Sequence, residues 1–325
     1  MPEISKHLIK PIIQGLWIGP RLSRFEYNSI KSYLKCGYEY HLYTYDHVEN
    51  IPPGVIIKDG NEILDRKHIF HYEGSIAPFS DLFRYKLLYL RGGIWTDCDI
   101  ICVHPMPLND PAYEYIFVAE RTILKGAFSS CIKTPPFTCK KKKVLNSFIR
   151  APKGSEIMRI MFEKSLKYRD EYLAKKKAEQ SSKSRKTRKS RKSRKSRKSH
   201  QNTKTKGIKD KVNIGLKSYH WGGGSKTLET VIHKMNLDKY IVEPEFAFAV
   251  NWWDFTYAFQ DVEYIPPSKG WDIGTHLNDI FKTGKGIYLV VIHNGWLKNH
   301  GMDKNAIYPA NSLFERLDRY INSAN

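Results

Sequence analysis

The chain has 325 residues, of which 41% are hydrophobic and 13% aromatic, enough apolar material for a substantial buried core. No apolar run approaches the ~20 residues of a membrane-spanning helix, and residues 1–14 lack the basic-then-apolar order of a signal peptide, so we expect a cytoplasmic protein. The net charge of +21 is concentrated in one tract, so it does not by itself indicate a nucleic-acid-binding protein.

The N-terminal half alternates between strand-like and helix-like patterns. Residues 11–18 and 38–45 are predicted strands, and residues 21–35 form a predicted helix between them. A second helix is predicted over residues 62–70 and a later strand over residues 115–119. This alternation predicts an α/β fold in a single domain.

Residues 77–104 place a predicted helix, a glycine turn and two β-rich segments in succession. Apolar residues recur at helical spacing in the first half, and Gly92 and Gly93 end this pattern because glycine tolerates the left-handed conformation of a C-cap. Asp97 and Asp99 then interrupt the strand path at its exposed end. Carboxylates in this arrangement share one hard divalent cation, which neutralises a bound diphosphate.

Asp81 and Arg84 lie three residues apart in the predicted helix and therefore share one face. Two interpretations are open for them. They form a surface salt bridge of little energetic value, or Asp81 accepts hydrogen bonds from sugar hydroxyls while Arg84 contacts the sugar or a diphosphate.

The segment SDLFRYKLLYLRGGIWTDCDI resembles the signature of the GT-A glycosyltransferases with a DXD sugar-binding region, glycosyltransferase family 32, which are related to capsular polysaccharide and mannosyl transferases. The segment KPIIQGLWIGP resembles the opening strand of that family. The resemblance implies a Rossmann-like GT-A fold that binds a nucleotide sugar. It implies a base pocket formed by Trp17, Ile18 and Gly19 and further donor contacts from Asp81, Arg84 and Gly93.

The resemblance covers most of residues 8–165 and, more loosely, residues 212–310. We therefore predict that residues 1–173 form the nucleotide-sugar-binding core and that residues 212–325 complete the same domain, contributing its acceptor side and a metal-completing loop. Residues 174–211 separate these two parts as a basic insertion.

The insertion at residues 174–211 contains eighteen Lys or Arg residues and two acidic residues, which leaves a net charge of about +5 for the rest of the chain. Its repeat SRKTRKSRKSRKSRKSH has a period of three and no apolar position, so we predict disorder. Two roles are possible for the insertion. It is a solvated surface loop, or it binds polyanions, either nucleic acid or an anionic membrane. The second role favours a nuclear or membrane-peripheral location.

A late strand-like segment ends in His293-Asn294-Gly295-Trp296. In GT-A enzymes a residue from such a segment often completes the metal shell, so His293 is our third metal ligand after Asp97 and Asp99, with Asn294 as the alternative. An imidazole ligand suits Mn²⁺, whereas Mg²⁺ prefers oxygen. Trp296 either covers the donor diphosphate through its indole N–H or belongs to the core.

Other segments carry weaker signals. The glycine run 221–225 precedes a predicted helix over residues 225–235, and it is either a phosphate cradle, a border of the acceptor cleft or a connector. The cysteines are odd in number and scattered, which favours reduced thiols over a zinc site: Cys36, Cys98, Cys102, Cys131 and Cys139.

These features together predict a metal-dependent retaining glycosyltransferase with Mn²⁺ or Mg²⁺ and with Asp97, Asp99 and Arg84 as catalytic residues. A UDP-sugar is the favoured donor, GDP-mannose is the alternative, and the acceptor is a glycan, lipid or protein. The competing hypothesis is a catalytically degenerate protein that keeps the fold and binds polyanions through the basic insertion. A glycoside hydrolase fits poorly, because Asp97 and Asp99 are too close in sequence to flank a scissile bond.

Overall fold

The computed structural model describes residues 11–120, 143–194, 221–266, 268 and 274–323, and it describes side chains in the basic insertion only as far as residue 181. A seven-stranded sheet with the order β3-β2-β1-β4-β7-β6-β8 forms its centre. All of its strands run in one direction except β7, which is antiparallel to both neighbours. Strands of the sheet are β1 Ile13–Trp17, β2 Tyr40–Thr44, β3 Ile56–Asp59, β4 Gly93–Thr96, β6 Ile116–Ala119, β7 Val144–Ala151 and β8 Ile241–Val242.

Helices lie on both faces of this sheet. The smaller sheets are two-stranded and pair β5 Ile100–Cys102 with β11 Leu289–Val291, and β9 Tyr264–Ile265 with β10 Thr275–His276. The α-helices are α1 Arg24–Lys35, α2 Ala77–Arg91, α3 Glu156–Arg194, α4 Ser225–Lys234, α5 Asn294–Asn299 and α6 Leu313–Asn322. This mixed α/β architecture confirms the predicted fold class.

The prediction of a helix over residues 62–70 is wrong. The structure has two short 3₁₀ turns there, Gly60–Glu62 and Arg66–His68. The side chains of Asp59 and Asp65 each accept a hydrogen bond from the backbone N–H two residues later, at 2.8 Å. Such local bonds offer the backbone an alternative to the helix and explain the error.

The prediction of disorder from residue 174 is wrong for residues 174–194, because α3 continues through them to Arg194. Once a helix is nucleated, each added residue costs little, and the segment EYLAKKKAEQ consists largely of good helix formers. The rest of the insertion, residues 195–211, lies outside the described residues.

The core has three clusters that follow this layering. One contains Ile30 and Tyr33 of α1 and packs on one face of the sheet. A second contains residues of α2 and α3 such as Phe83 and Met158 and packs on the other face. The third joins the β5–β11 ribbon to α6. Within the described ranges, no helix has both the length and the hydrophobicity needed to cross a bilayer.

Candidate active site

The predicted site lies at the carboxyl ends of the parallel strands β1 and β4. These strands are neighbours, with Ile13 opposite Ile94, and the thiol of Cys98 approaches the carbonyl oxygen of Leu16 at 3.6 Å. The chain leaves β1 towards β2 on one side, while β4 lies on the other side. Ligands of open α/β sheets bind at this type of switch point, outside the carboxyl ends of the strands.

The site has two halves, one around Arg84 and one around Asp99. Arg84 is the centre of the first half. Its side chain is 3% exposed, and its Nη2 atom lies 3.1 Å from Oδ1 of Asp81 and 3.0 Å from Oδ1 of Asp97. Its Nη1 atom donates to the carbonyl oxygen of Asn146, and the guanidinium lies 5.1 Å from the ring of Trp95. The structure thus excludes a surface salt bridge and shows a buried cation that links α2, β4 and β7.

Asp97 is held in a fixed orientation at the end of β4. The indole N–H of Trp95 donates to Oδ1 at 2.8 Å, and the backbone N–H of Asp97 donates to the carbonyl of Ser147 at 2.8 Å. The carboxylate remains 31% exposed, which makes it the accessible member of the group around Arg84. A ligand that enters the cleft therefore meets Asp97 before Arg84 or Asp81.

Asn146 is a site residue that sequence reasoning missed. Its Nδ2 atom donates to Oδ1 of Asp81 at 2.8 Å, and its Oδ1 atom accepts from the hydroxyl of Ser225 at 3.0 Å. The signal was a carboxamide inside the mainly apolar strand VLNSFIRA. The glycine run 221–225 also reaches this point, because the hydroxyl of Tyr85 donates to the carbonyl of Gly223 at 3.0 Å.

Asp99 belongs to the second half of the site. The ribbon pairs Val291 with Ile100, and the backbone N–H of Ile292 donates to the carbonyl of Asp99 at 2.7 Å. The backbone of Asn294 donates to the Asp99 carboxylate. The predicted proximity of His293 and Asn294 to the second aspartate is therefore present in the structure.

His293 is held by aromatic side chains. Its ring stacks on Phe248 at 5.9 Å and meets the edge of Phe255 at 4.9 Å. Burial lowers the pKa of His293 to about 4, although a hydrogen bond with the backbone of Val250 opposes this shift. The imidazole is consequently neutral at physiological pH, the form that binds metals.

Two buried polar atoms on adjacent residues, Nε2 of His293 and Oδ1 of Asn294, have no hydrogen-bond partner in the described part of the chain. Buried polar atoms are almost always satisfied, so this pair requires an explanation. Both atoms carry lone pairs that can coordinate a divalent cation, and the backbone of Asn294 bonds the Asp99 carboxylate. The residues present thus fit a cation.

The predicted ligand set of Asp97, Asp99 and His293 is not preassembled. Within the described ranges, no group of three or more His, Cys, Asp or Glu side chains is arranged to hold a metal ion. In this structure Oδ1 of Asp97 is paired with Arg84 instead.

Electrostatics favour a cation in the same place. Burial raises the pKa values of Asp81 and Asp99 to about 7 in each case, and it also raises the pKa of Asp97 despite the opposing effect of Arg84. Carboxyl groups with raised pKa values hold their negative charge at an energetic cost. Added positive charge near Asp99 would reduce that cost.

The predicted base-pocket residues lie at the end of β1, on the same edge as Asp97. The indole nitrogen of Trp17 is buried and, among the described residues, has no hydrogen-bond partner. Gly19 lies against this ring, since a Cβ atom at its position would be 3.2 Å from the same nitrogen. The role of Trp17, Ile18 and Gly19 stays a prediction.

Of the two remaining predicted donor contacts, Gly93 is not brought to the site. Gly93 begins β4, about 13 Å of strand from Asp97, and a Cβ atom there would meet the side chain of Gln14 at 2.9 Å. Trp296 stacks on His300 at 3.8 Å and on Phe259 at 5.8 Å, as expected for its core alternative. Gly93 therefore has a packing role, whereas the contact of Trp296 with the donor diphosphate stays a prediction.

Comparison with known proteins agrees with the site. Residues 26–123, less than a third of the chain, match the family model described as "Glycosyltransferase sugar-binding region containing DXD motif". The matched range contains Asp81, Arg84, Asp97 and Asp99. This match confirms the resemblance predicted from the sequence, and it identifies residues 26–123 as a glycosyltransferase sugar-binding region with a DXD motif.

Solved structures and curated proteins were also compared. The chain is similar to the PaToxG glycosyltransferase, with 15% identity, 70% of each chain covered and a TM-score of 0.37. It is also similar to the apo structure of the bifunctional glycosyltransferase WbbM, with 13% identity, 47% of this chain and 34% of that chain covered, and a TM-score of 0.27. No curated protein matches the chain.

Proposed function

We propose that the protein is a metal-dependent, retaining glycosyltransferase that moves a sugar from a nucleotide-diphosphate donor to a hydroxyl acceptor. The observation that carries this proposal is the buried guanidinium of Arg84 between Asp81 and Asp97 at the switch point of the sheet. A UDP-sugar is the favoured donor and GDP-mannose the alternative. The acceptor is a glycan, a lipid or a protein.

Each residue of the first half has a distinct role in this proposal. Asp81 accepts hydrogen bonds from hydroxyls of the transferred sugar, and Asn146 holds its carboxylate in position. Arg84 orients both aspartates and adds positive charge on the side of the leaving group. Trp17 and Gly19, at the end of the neighbouring strand, line the pocket for the base.

The second half supplies the cation site. Asp99, with Asn294 Oδ1 or His293 Nε2, would hold the ion, and Asp97 would contact it directly or through water. A bound Mn²⁺ or Mg²⁺ offsets the negative charge that develops on the departing diphosphate. The unpartnered atoms of His293 and Asn294, in the segment whose backbone bonds Asp99, support this assignment.

Retention of the anomeric configuration is implied by the family resemblance. A double displacement needs a carboxylate nucleophile, and Glu120 and Asp254, the two carboxylates that we considered for contacts with the acceptor, both have other partners. Glu120 forms an ion pair with Lys143, and Asp254 accepts hydrogen bonds from Asn251 and Ser268. We therefore favour attack by the acceptor from the face of the leaving group. NMR of the anomeric proton in the first-formed product tests this, and an inverted product contradicts it.

The direct test measures nucleotide release from a panel of UDP- and GDP-sugars, with Mn²⁺ and with chelator. Asp99→Asn should lower turnover by about 10²-fold or more, because it weakens stabilisation of the leaving group. Asp46→Asn is the matched control, since this exposed carboxylate pairs only with Arg66 among the partners that the structure shows. Equal turnover in the two variants, or turnover in chelator, contradicts the metal-dependent mechanism.

A polyanion-binding role for the basic insertion is the second candidate, and the charge of residues 174–211 favours it. Deletion of residues 182–211 separates the two functions. If the protein is an enzyme, the variant without these residues keeps its turnover. If the insertion binds polyanions, the variant is no longer retained on a heparin column. A nuclear or membrane-peripheral location belongs to this second role.

A further inference from the structure

Lys304 is a cation that neither the sequence motifs nor the proposed mechanism uses. It lies in the loop between α5 and α6, and its Nζ atom is 2.5 Å from Oε1 of Glu26. The Glu26 side chain is only 1% exposed, whereas the Lys304 side chain is 30% exposed. The other carboxylate oxygen of Glu26 accepts a hydrogen bond from the backbone of Ser23 at 3.1 Å and caps α1.

The register of α1 against β5 places this pair beside the DXD segment. The hydroxyl of Ser32 accepts from the backbone N–H of Cys102 at 2.8 Å, and the hydroxyl of Ser29 donates to the carbonyl of Ile100 at 2.7 Å. Glu26 is one turn earlier on the same helix face, so it lies level with the segment that precedes Ile100.

The loop that carries Lys304 is fixed to the start of α1. The backbone N–H of Arg24 donates to Oδ1 of Asn305 at 3.0 Å, and its Nη1 atom donates to the carbonyl of Ala306 at 2.8 Å. Glu315 of α6 holds the same guanidinium through two bonds of 2.9 and 2.6 Å. Lys304 is therefore followed directly by two residues that are anchored to the start of α1.

The charges around the cleft leave this lysine available. Arg84 is buried and divided between two aspartates, so its donors are largely committed. An ammonium group has three donors, and the bond to Glu26 uses one of them. The partial exposure of Lys304 allows the remaining donors to reach an anion in the cleft.

We propose that Lys304 binds the diphosphate of the nucleotide-sugar donor on the side of the cleft opposite Arg84. The inference rests on the proposed function, which requires a diphosphate beside Asp99. It assigns a recognition role to a residue outside the matched family region, and it makes the anchored loop part of the donor site.

Calorimetric binding of UDP, GDP and their parent nucleosides, with Mn²⁺ and with chelator, tests the proposal. Lys304→Met should weaken binding of the diphosphate that the wild type prefers by about 10-fold or more and leave nucleoside binding unchanged, because a charge-assisted bond is lost. Lys31→Met is the matched control, since its ammonium contacts Asn322 on the side of α6. Thermal unfolding of each variant shows whether it is folded.

A double variant separates donor binding from the pairing with Glu26. Glu26→Gln keeps a capping side chain at this position and removes the charge. If Lys304 binds the diphosphate, Lys304→Met weakens diphosphate binding equally in the wild-type and Glu26→Gln backgrounds. No further loss in the Glu26→Gln background, or an equal loss for the nucleoside, overturns the proposal. Absence of diphosphate binding in the wild type overturns the proposed function as well.

Discussion

The two halves of the site differ in how completely their polar groups are satisfied. Around Arg84, carboxylates, carboxamide and guanidinium bond to one another at 2.8 to 3.1 Å. Around Asp99, the adjacent His293 and Asn294 keep buried atoms without partners in the described part of the chain. In the first half the polar groups bond to one another and can hold a ligand in a fixed position. In the second half, polar atoms remain that could coordinate a cation.

The halves also differ in their origin along the chain. The network around Arg84 centres on residues within seventeen positions of one another, with Asn146 added from β7. The surroundings of Asp99 combine the segment after β11, the start of α1 and the loop before α6. A rigid half next to an incomplete half is the arrangement expected where one ligand is oriented and a second ion completes the site.

The largest effect should come from removal of Arg84. Arg84→Met leaves the buried Asp81 and the partly exposed Asp97 without their common cation and should lower the free energy of unfolding by about 3 kcal/mol. Urea unfolding measures this change. The control is Arg21→Met, whose ion pair with Glu49 is more than half exposed on both sides. Equal effects in the two variants would show that the network does not stabilise the fold.

A smaller effect is expected at Asn146. Asn146→Leu removes the donor to Asp81 and the acceptor of Ser225, and it should cost about 1–3 kcal/mol of stability because buried polar groups lose their partners. The affinity for the sugar donor should also fall, because Asp81 loses its fixed orientation. Ser225→Ala tests the weaker contact alone. A larger loss in Ser225→Ala than in Asn146→Leu contradicts this order.

The incomplete half should respond in its metal dependence more than in its stability. His293→Phe keeps an aromatic ring between Phe248 and Phe255 and removes the unpartnered nitrogen, but it also loses the bond to the backbone of Val250. The two effects oppose each other, so the free energy of unfolding of the metal-free protein should change by less than about 1 kcal/mol. Asn294→Ala removes the competing oxygen. The variant that raises the Mn²⁺ concentration needed for half-maximal turnover identifies the ligand. Unchanged Mn²⁺ dependence in both variants would exclude both residues.

An effect of similar size concerns the anchor of the Lys304 loop and depends on pH. The hydrogen bonds from Arg24 hold the pKa of Glu315 below its ordinary value of 4.5. A carboxyl group whose pKa is lowered by folding stabilises the protein above its ordinary pKa, and this contribution is lost as the pH falls through the lowered value. Arg24→Gln should therefore lose about 1 kcal/mol at pH 7 and progressively less below pH 4.5. Urea unfolding at several pH values measures this, and a pH-independent difference contradicts it.

Local patterns in the sequence were sufficient for much of the first half. Helical spacing placed Asp81 and Arg84 on one face, and the change from helix to strand placed Asp97 at a strand end; the structure confirms both. The helix predicted over residues 62–70 was wrong because side-chain bonds from Asp59 and Asp65 outweigh periodicity over so short a segment. The resemblance, confirmed over residues 26–123, covers the same region.

The sequence by itself therefore determined the fold class, the helix–turn–strand unit and the four charged residues within it, because these depend on interactions between near neighbours. Only the tertiary structure showed that Asn146 holds Asp81 in position. It also showed the packing contacts of Gly93 and Trp296. The pairing of Lys304 with Glu26, which lie 278 positions apart in the sequence, is a third contact of this kind. Such contacts arise from strand order and from the packing of α1 against the ribbon. No local period or motif encodes that packing, which is why the second half of the site emerges only when the chain is folded.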